Sequence, residues 1–167
     1  MSGHSLRIRK ATEADLPVLT EMTREFNDLL DVLGGDPPSE NAAEFAAGAM
    51  ARLRSFAFGP SPLCTVLIAE LDGETAGYLT YFIGVYMDDA TPALHVADFF
   101  VSERYRRRGV GKALMLDARR IAADRGASRL LWTVWRRNND AIRFYENLGA
   151  ELEPYDGSVL MQWLIKS

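Results

Sequence analysis

Val101-Ser102-Glu103-Arg104-Tyr105-Arg106-Arg107-Arg108-Gly109-Val110-Gly111-Lys112 is the stretch on which the reading of this chain turns. Ala93 to Val101 ahead of it is branched and aromatic, as a strand is. Gly109 to Asp124 behind it reads as a helix, with Val110, Leu114, Leu116 and Ile121 able to face inward and Gly126 stopping it. A strand therefore ends, an arginine-rich turn follows, and two glycines open a helix. Free N–H groups and the dipole at a helix start attract an anion. Gly109 and Gly111 remove side chains that would hold it off the backbone, and Arg106, Arg108 and Lys112 can add charge-assisted contacts. A phosphate loop of the Gly-x-x-x-x-Gly-Lys-Ser/Thr kind is excluded by Ala113 after Lys112. A dinucleotide fingerprint would need glycine at Leu114.

Working outward, Leu6 to Arg9 reads as a short strand, and Thr12 or Asp15 can cap a helix carrying Leu16, Leu19, Met22, Phe26, Leu29, Leu30 and Leu33 on one face. Pro17 requires that its first turn start late. After Gly34-Gly35-Asp36-Pro37-Pro38, Ser39 opens a second helix with Phe45, Ala46, Ala49, Met50, Leu53 and Phe56 on one side. Thr65–Leu71 and Thr75–Met87 are strands joined by the turn Asp72-Gly73. Leu130 to Trp135 is apolar enough for a strand buried on both faces. Asn138 caps a helix through Leu148, Gly149 ends it, and two strands near Glu151 and Val159–Ile165 close the chain. The order β-α-α-β-β-β-α-β-α-β-β describes one mixed α/β (α+β) domain over residues 1–167, with helices flanking a central sheet.

Composition bounds the function. Of 167 residues, 48% are hydrophobic and 25% charged, so the chain can bury a core. The single cysteine, Cys64, rules out an internal disulfide and any multi-cysteine metal site, and no metal is expected. Met1–Lys10 lacks the apolar core of a secretory signal. No run approaches the ~18 apolar residues of a membrane helix. A cytoplasmic protein without membrane contact is expected. A net charge of −4 argues against nucleic acid as a partner. The charge is nevertheless uneven: nine acids and one base lie between Ala11 and Met50, and seven bases between Arg104 and Arg120. One part suits a cation and the other an anion, or both are solvated helix faces.

The Val101–Lys112 stretch resembles the acyl-CoA-binding motif of the GNAT superfamily of N-acetyltransferases: Arg or Gln, two variable residues, Gly, one variable residue, then Gly or Ala. The resemblance implies a mostly antiparallel GNAT-like sheet and acetyl-CoA as donor. It also implies that the backbone of Phe99, Phe100 and Val101 pairs with the pantetheine arm. The pyrophosphate would then be held by Arg106, Arg107, Arg108, Gly109, Val110, Gly111, Lys112 and Ala113. A second stretch, Asn138-Asn139-Asp140-Ala141-Ile142-Arg143-Phe144-Tyr145, resembles the superfamily's C-terminal motif. It implies that Asn138, Ala141 and Phe144 border the cofactor and that Tyr145 protonates the departing sulfur.

Within the superfamily, Ala97-Asp98-Phe99-Phe100-Val101 with Leu148-Gly149-Ala150 is most similar to the diamine and polyamine acetyltransferases. Those carry an acidic pair before Phe-Phe. Asp98 keeps one acid and Ala97 replaces the other. The resemblance implies a small-molecule amine acceptor, with Asp98 as general base and Asp28, Asp31 and Asp98 facing the acceptor, and suggests a homodimer. An amino acid, peptide or drug amine, or acyl-CoA binding without turnover, is the alternative. His4 and His95 read as a tail residue and a strand residue, and Cys64 as a small hydrophobe.

Overall fold

The computed structural model describes residues 5–34 and 42–151. They fall into two compact units, one through Thr133 and one from Val134 onward, taken separately below. The first unit holds β1 (Leu6–Lys10), α1 (Leu16–Gly34), α2 (Ala42–Phe58), β2 (Thr65–Leu71), β3 (Glu74–Tyr86), β4 (Thr91–Val101), α3 (Val110–Asp124) and β5 (Arg129–Leu131). Single 3₁₀ turns, Glu13–Asp15 and Glu103–Tyr105, precede α1 and α3. The second unit holds α4 (Asn139–Asn147). The expected order is therefore present through α4. The closing strand at Val159–Ile165 lies outside the described residues, as does the proposed start of α2 at Ser39.

The sheet runs β1-β2-β3-β4-β5, antiparallel except for the parallel β4–β5 pair. One face carries Val66, Ile68, Tyr78 and Phe100 against Leu19 and Met22 of α1, with Phe26, Met50, Leu53 and Ala57 packed around them. Strand alternation sends Leu67 and Leu79 to the opposite face, which α3 covers with Val110, Leu114, Met115, Ala118 and Ala122. Two expected inward residues point out. Phe56 is 45% and Leu116 46% exposed. Each lies six positions beyond an inward residue, Met50 or Val110, which at 3.6 residues per turn is well off the buried stripe.

The start of α1 explains Pro17. The Asp15 carboxylate accepts the Thr12 N–H at 2.7 Å and takes the Arg9 fork at 2.8 and 2.7 Å. That arrangement closes a 3₁₀ turn before the α-helix begins at Leu16, so Pro17 occupies the first turn, where no backbone donor is required.

β5 is the clearest correction to the expected strand Leu130–Trp135. It pairs only from Ala93↔Arg129 to His95↔Leu131, its residues are half-buried, and Trp135 is 48% exposed. The reason lies in β4. Thr80 pairs with Asp98 but Tyr81 pairs with Val96, so Ala97 is an extra residue, a β-bulge. A bulge bends its strand and increases local twist, and the β4–β5 ladder stops one residue short of it.

Candidate active site

Around and beyond the bulge, Val96–Val101 has β3 on one side and no strand on the other among the described residues. The Ser102 N–H donates to the Ala76 carbonyl at 3.1 Å, on the β3 side. Alternation along a strand then aims the amide and carbonyl of Val101 and of Phe99 at the open edge. Two contacts agree with that. Arg106 Nε donates to the Val101 carbonyl at 3.0 Å, and the Phe99 N–H donates to Asp98 Oδ1 at 3.0 Å. An exposed strand edge of this kind accepts an extended chain by hydrogen bonding.

The edge leads into the arginine turn. Tyr105 is buried and its hydroxyl donates to Glu74 at the start of β3. Arg104 and Arg108 lie over its ring at 4.6 and 6.0 Å, and Arg108 pairs with Asp72 at 3.3 Å. These contacts fasten the turn to the β2–β3 hairpin. Arg107 (φ 59°) and Gly109 (φ 85°) both occupy the left-handed region. For the non-glycine Arg107 that costs about 1–2 kcal/mol, a strain that collects at ligand-binding turns. Gly109 is the N-cap of α3, and the Ala113 N–H already bonds the Gly109 carbonyl at 3.0 Å. Helix geometry therefore leaves the earlier amides, Val110, Gly111 and Lys112, as donors without a partner in their own helix. The position of a Cβ on Gly109 has no protein atom within 4 Å. An anion fits this cradle of amides.

The arginines divide their roles in a way the sequence conceals. Arg106 and Arg108 hold the turn in shape, whereas Arg107 and Lys112 are exposed and enter no ion pair among the described residues.

Asp98 sits beside the bulge, and both its oxygens are engaged. Oδ1 accepts the Phe99 N–H, and Oδ2 accepts the hydroxyl of buried Tyr78 at 2.6 Å. Burial pushes its carboxyl above the ordinary carboxylate range, and the two donors pull the other way. The α1 residues that reach this part of the sheet are Thr23, beside the Tyr78 hydroxyl, Phe26, 5.5 Å from the Phe100 ring, and Glu25, which accepts the Ser102 hydroxyl at 2.9 Å. Asp28 pairs instead with Arg24 on the helix's own surface at 3.4 Å. Asp31 lies one turn further along α1. Sequence reasoning missed Thr23 and Tyr78; the available signal was a polar residue beside Met22 and ahead of Phe26 on an otherwise apolar face.

In the second unit, Asn138 caps α4 by accepting the Ala141 N–H at 3.1 Å. Phe144 and Tyr145 meet edge to face at 5.2 Å. Gly149 (φ 86°) closes the helix, with the Ala150 N–H on the Tyr145 carbonyl at 3.0 Å. Asn138 and Tyr145 lie two turns apart, roughly 10 Å along the axis.

Other reactive side chains are accounted for. His95 stacks on Phe82 at 4.8 Å. Cys64 is half-buried, and burial raises its thiol away from the thiolate form a nucleophile needs. Among the described residues no three His, Cys, Asp or Glu side chains gather as a metal site, and no helix is long and apolar enough to cross a membrane.

A strand edge beside a bulge thus continues into an amide cradle at a helix start, an arrangement suited to an extended ligand that ends in an anion. The chain belongs to the acetyltransferase (GNAT) family, whose sequence profile matches residues 26–150. It is 35% identical over 81 residues to an L-ornithine N5-acetyltransferase of Arabidopsis thaliana, covering 48% of this chain and 36% of that one. It is 31% identical over 81 residues to a thialysine N-epsilon-acetyltransferase of Caenorhabditis elegans, covering 48% of this chain and 50% of the relative. The matches thus span half or less of either relative's length. In fold it is similar to an integron cassette protein from the mobile metagenome of V. cholerae, with a TM-score of 0.76, 23% identity, and 96% and 94% of the two chains covered.

Proposed function

We propose that this chain transfers an acetyl group from acetyl-CoA to a primary amine, with a preference for an acceptor that carries a second positive charge, as diamines and polyamines do. The observation that carries the reading is the continuity of the open β4 edge with the amide cradle at Gly109–Ala113. The backbone of Phe99 and Val101 would align the pantetheine arm, and the amides from Arg107 to Ala113, with Lys112, would hold the pyrophosphate. The donor brings an acetyl thioester, an acyl group already activated toward amines.

The residues of the chain then manage charge and protons. An alkylamine of pKa ~10 is mostly protonated near neutral pH. Asp98 takes that proton, directly or through water, so that nitrogen can form the new N–C bond. Each oxygen of Asp98 accepts one hydrogen bond, which leaves each a further lone pair for the incoming proton. A β4 amide at the open edge stabilises the carbonyl oxygen as negative charge builds on it. As the C–S bond breaks, the thiolate takes a proton, a role that the resemblance of the Asn138–Tyr145 stretch to the GNAT C-terminal motif gives to Tyr145, which solvent would then reprotonate. The acidic α1 region, with Asp28 and Asp31, favours a cationic acceptor. Ornithine and thialysine, the acceptors in the two relatives' names, both carry a side-chain amine, which supports the same class.

An acceptor screen with detection of free CoA tests the proposal. Acetylation is expected for diamines, polyamines or basic amino acids. Absence of CoA release with every amine, from a folded protein that binds acetyl-CoA, refutes the transferase reading.

A further inference from the structure

Tyr78 is a phenol sealed beneath α1, and its hydroxyl makes the 2.6 Å bond that fixes Asp98 Oδ2. Filling core space requires no hydroxyl: Phe100, opposite in the ladder, fills the same layer without one. A hydroxyl buried here must be satisfied, and Asp98 satisfies it, with Thr23 of α1 beside the same hydroxyl. The result is a chain of hydrogen bonds running Tyr78–Asp98–Phe99 N–H, from β3 beneath α1 to the open edge of β4. Its last member is an amide aimed at that edge. Its only ionisable carboxyl is the one assigned the acceptor's proton.

We propose that Tyr78 is a positioning residue for catalysis: its hydroxyl holds the Asp98 carboxylate in one orientation beside the bulge and sets how tightly Asp98 keeps a proton. This rests on the reading of Asp98 as the general base. The groups facing Asp98 are few. From β3 they are Tyr78 and, across the ladder, uncharged Thr80; from α1, Thr23 acts through Tyr78; and Glu25, the α1 acid that meets the end of β4, is held by Ser102. Among the described residues no charged side chain shifts Asp98. Its proton affinity is therefore governed by burial against two donors, and Tyr78 supplies one of them.

The sign follows. The tyrosine donor stabilises the charged carboxylate, so removing it lets burial push Asp98 further up. In Tyr78→Phe the Asp98 carboxyl, followed by ¹³C NMR in the ligand-free protein and assigned with Asp98→Asn, is expected to titrate at higher pH than in the parent. The acidic limb of the kcat/KM profile is expected to move the same way. At neutral pH kcat falls roughly tenfold while KM for acetyl-CoA stays within about twofold. Thr23→Val, which removes only the hydroxyl behind Tyr78, is expected to give a smaller shift in the same direction; it carries the test should Tyr78→Phe fail to fold. An Asp98 titration unchanged in both folded variants, with Asp98→Asn strongly impaired, overturns the role of Tyr78 and leaves the base in place. Turnover in Asp98→Asn within about twofold of the parent overturns both.

Discussion

Gly109 and Gly126 offer a matched pair of perturbations at the two ends of α3. Both are left-handed, at φ 85° and 67°, and neither has a protein atom within 4 Å of where a Cβ would stand. Alanine at either position meets the same penalty: about 1–2 kcal/mol for an L-residue in the left-handed region, offset by about 0.4–1 kcal/mol from the stiffer unfolded chain. A net loss near 1 kcal/mol lowers Tm by roughly 2–4 °C in a chain of this size. Thermal melts of Gly109→Ala and Gly126→Ala are expected to agree within that range. Binding separates them. The methyl at Gly109 clashes with nothing in the protein, so only a bound group in the amide cradle would feel it. Displacing a phosphate oxygen from one charge-assisted amide bond costs about 1.5–3 kcal/mol, which is at least tenfold in CoA affinity. Titration calorimetry is expected to show that loss for Gly109→Ala and parent-like affinity for Gly126→Ala. Equal CoA affinity in the two folded variants would refute the pyrophosphate assignment.

Tyr145→Phe removes only a proton donor, so kcat is expected to fall well beyond any change in CoA affinity; turnover within about twofold of the parent assigns the thiolate's proton to another source. The Asp15 carboxyl, held by the Arg9 fork, is lowered from 3.8 to about 2, which corresponds to about 2 kcal/mol of folding stability. A depressed carboxyl contributes fully above its unfolded value and loses that contribution as pH falls through its folded one. The stability gap between parent and Asp15→Asn in urea unfolding is therefore expected to be full above about pH 5 and to shrink toward pH 2; a gap independent of pH contradicts the ion pair. A diamine is expected to have a higher kcat/KM than its neutral monoamine analogue, with the difference narrowing as salt screens beyond ~8 Å. Equal values at low salt would make the acidic face of α1 solvated surface.

The local code of this chain is legible because it is periodic or stereochemically forced. Leu16, Leu19 and Met22 announce α1 by spacing, Asp72-Gly73 and Gly126 mark positions that turn left-handed, and Asn138 caps α4 as its residue type suggests. The arginine–glycine turn declares an anion site because two glycines at a helix start have few other uses. What the sequence concealed depends on partners far away along the chain. Whether an arginine braces the turn or stays open is decided by Asp72 and Val101, and Arg106, Arg107 and Arg108 look alike until those partners are in place. The bulge at Ala97 is a mismatch between two strands, so neither strand shows it alone, and it also cuts β5 to three residues where apolar content suggested six. The Tyr78–Asp98 bond, with Thr23 beside it, draws on three elements. Periodicity reports which face a residue takes; only the packing of α1 onto β3 and β4 decides which polar atoms meet there, because a hydrogen bond depends on distances that sequence separation does not encode.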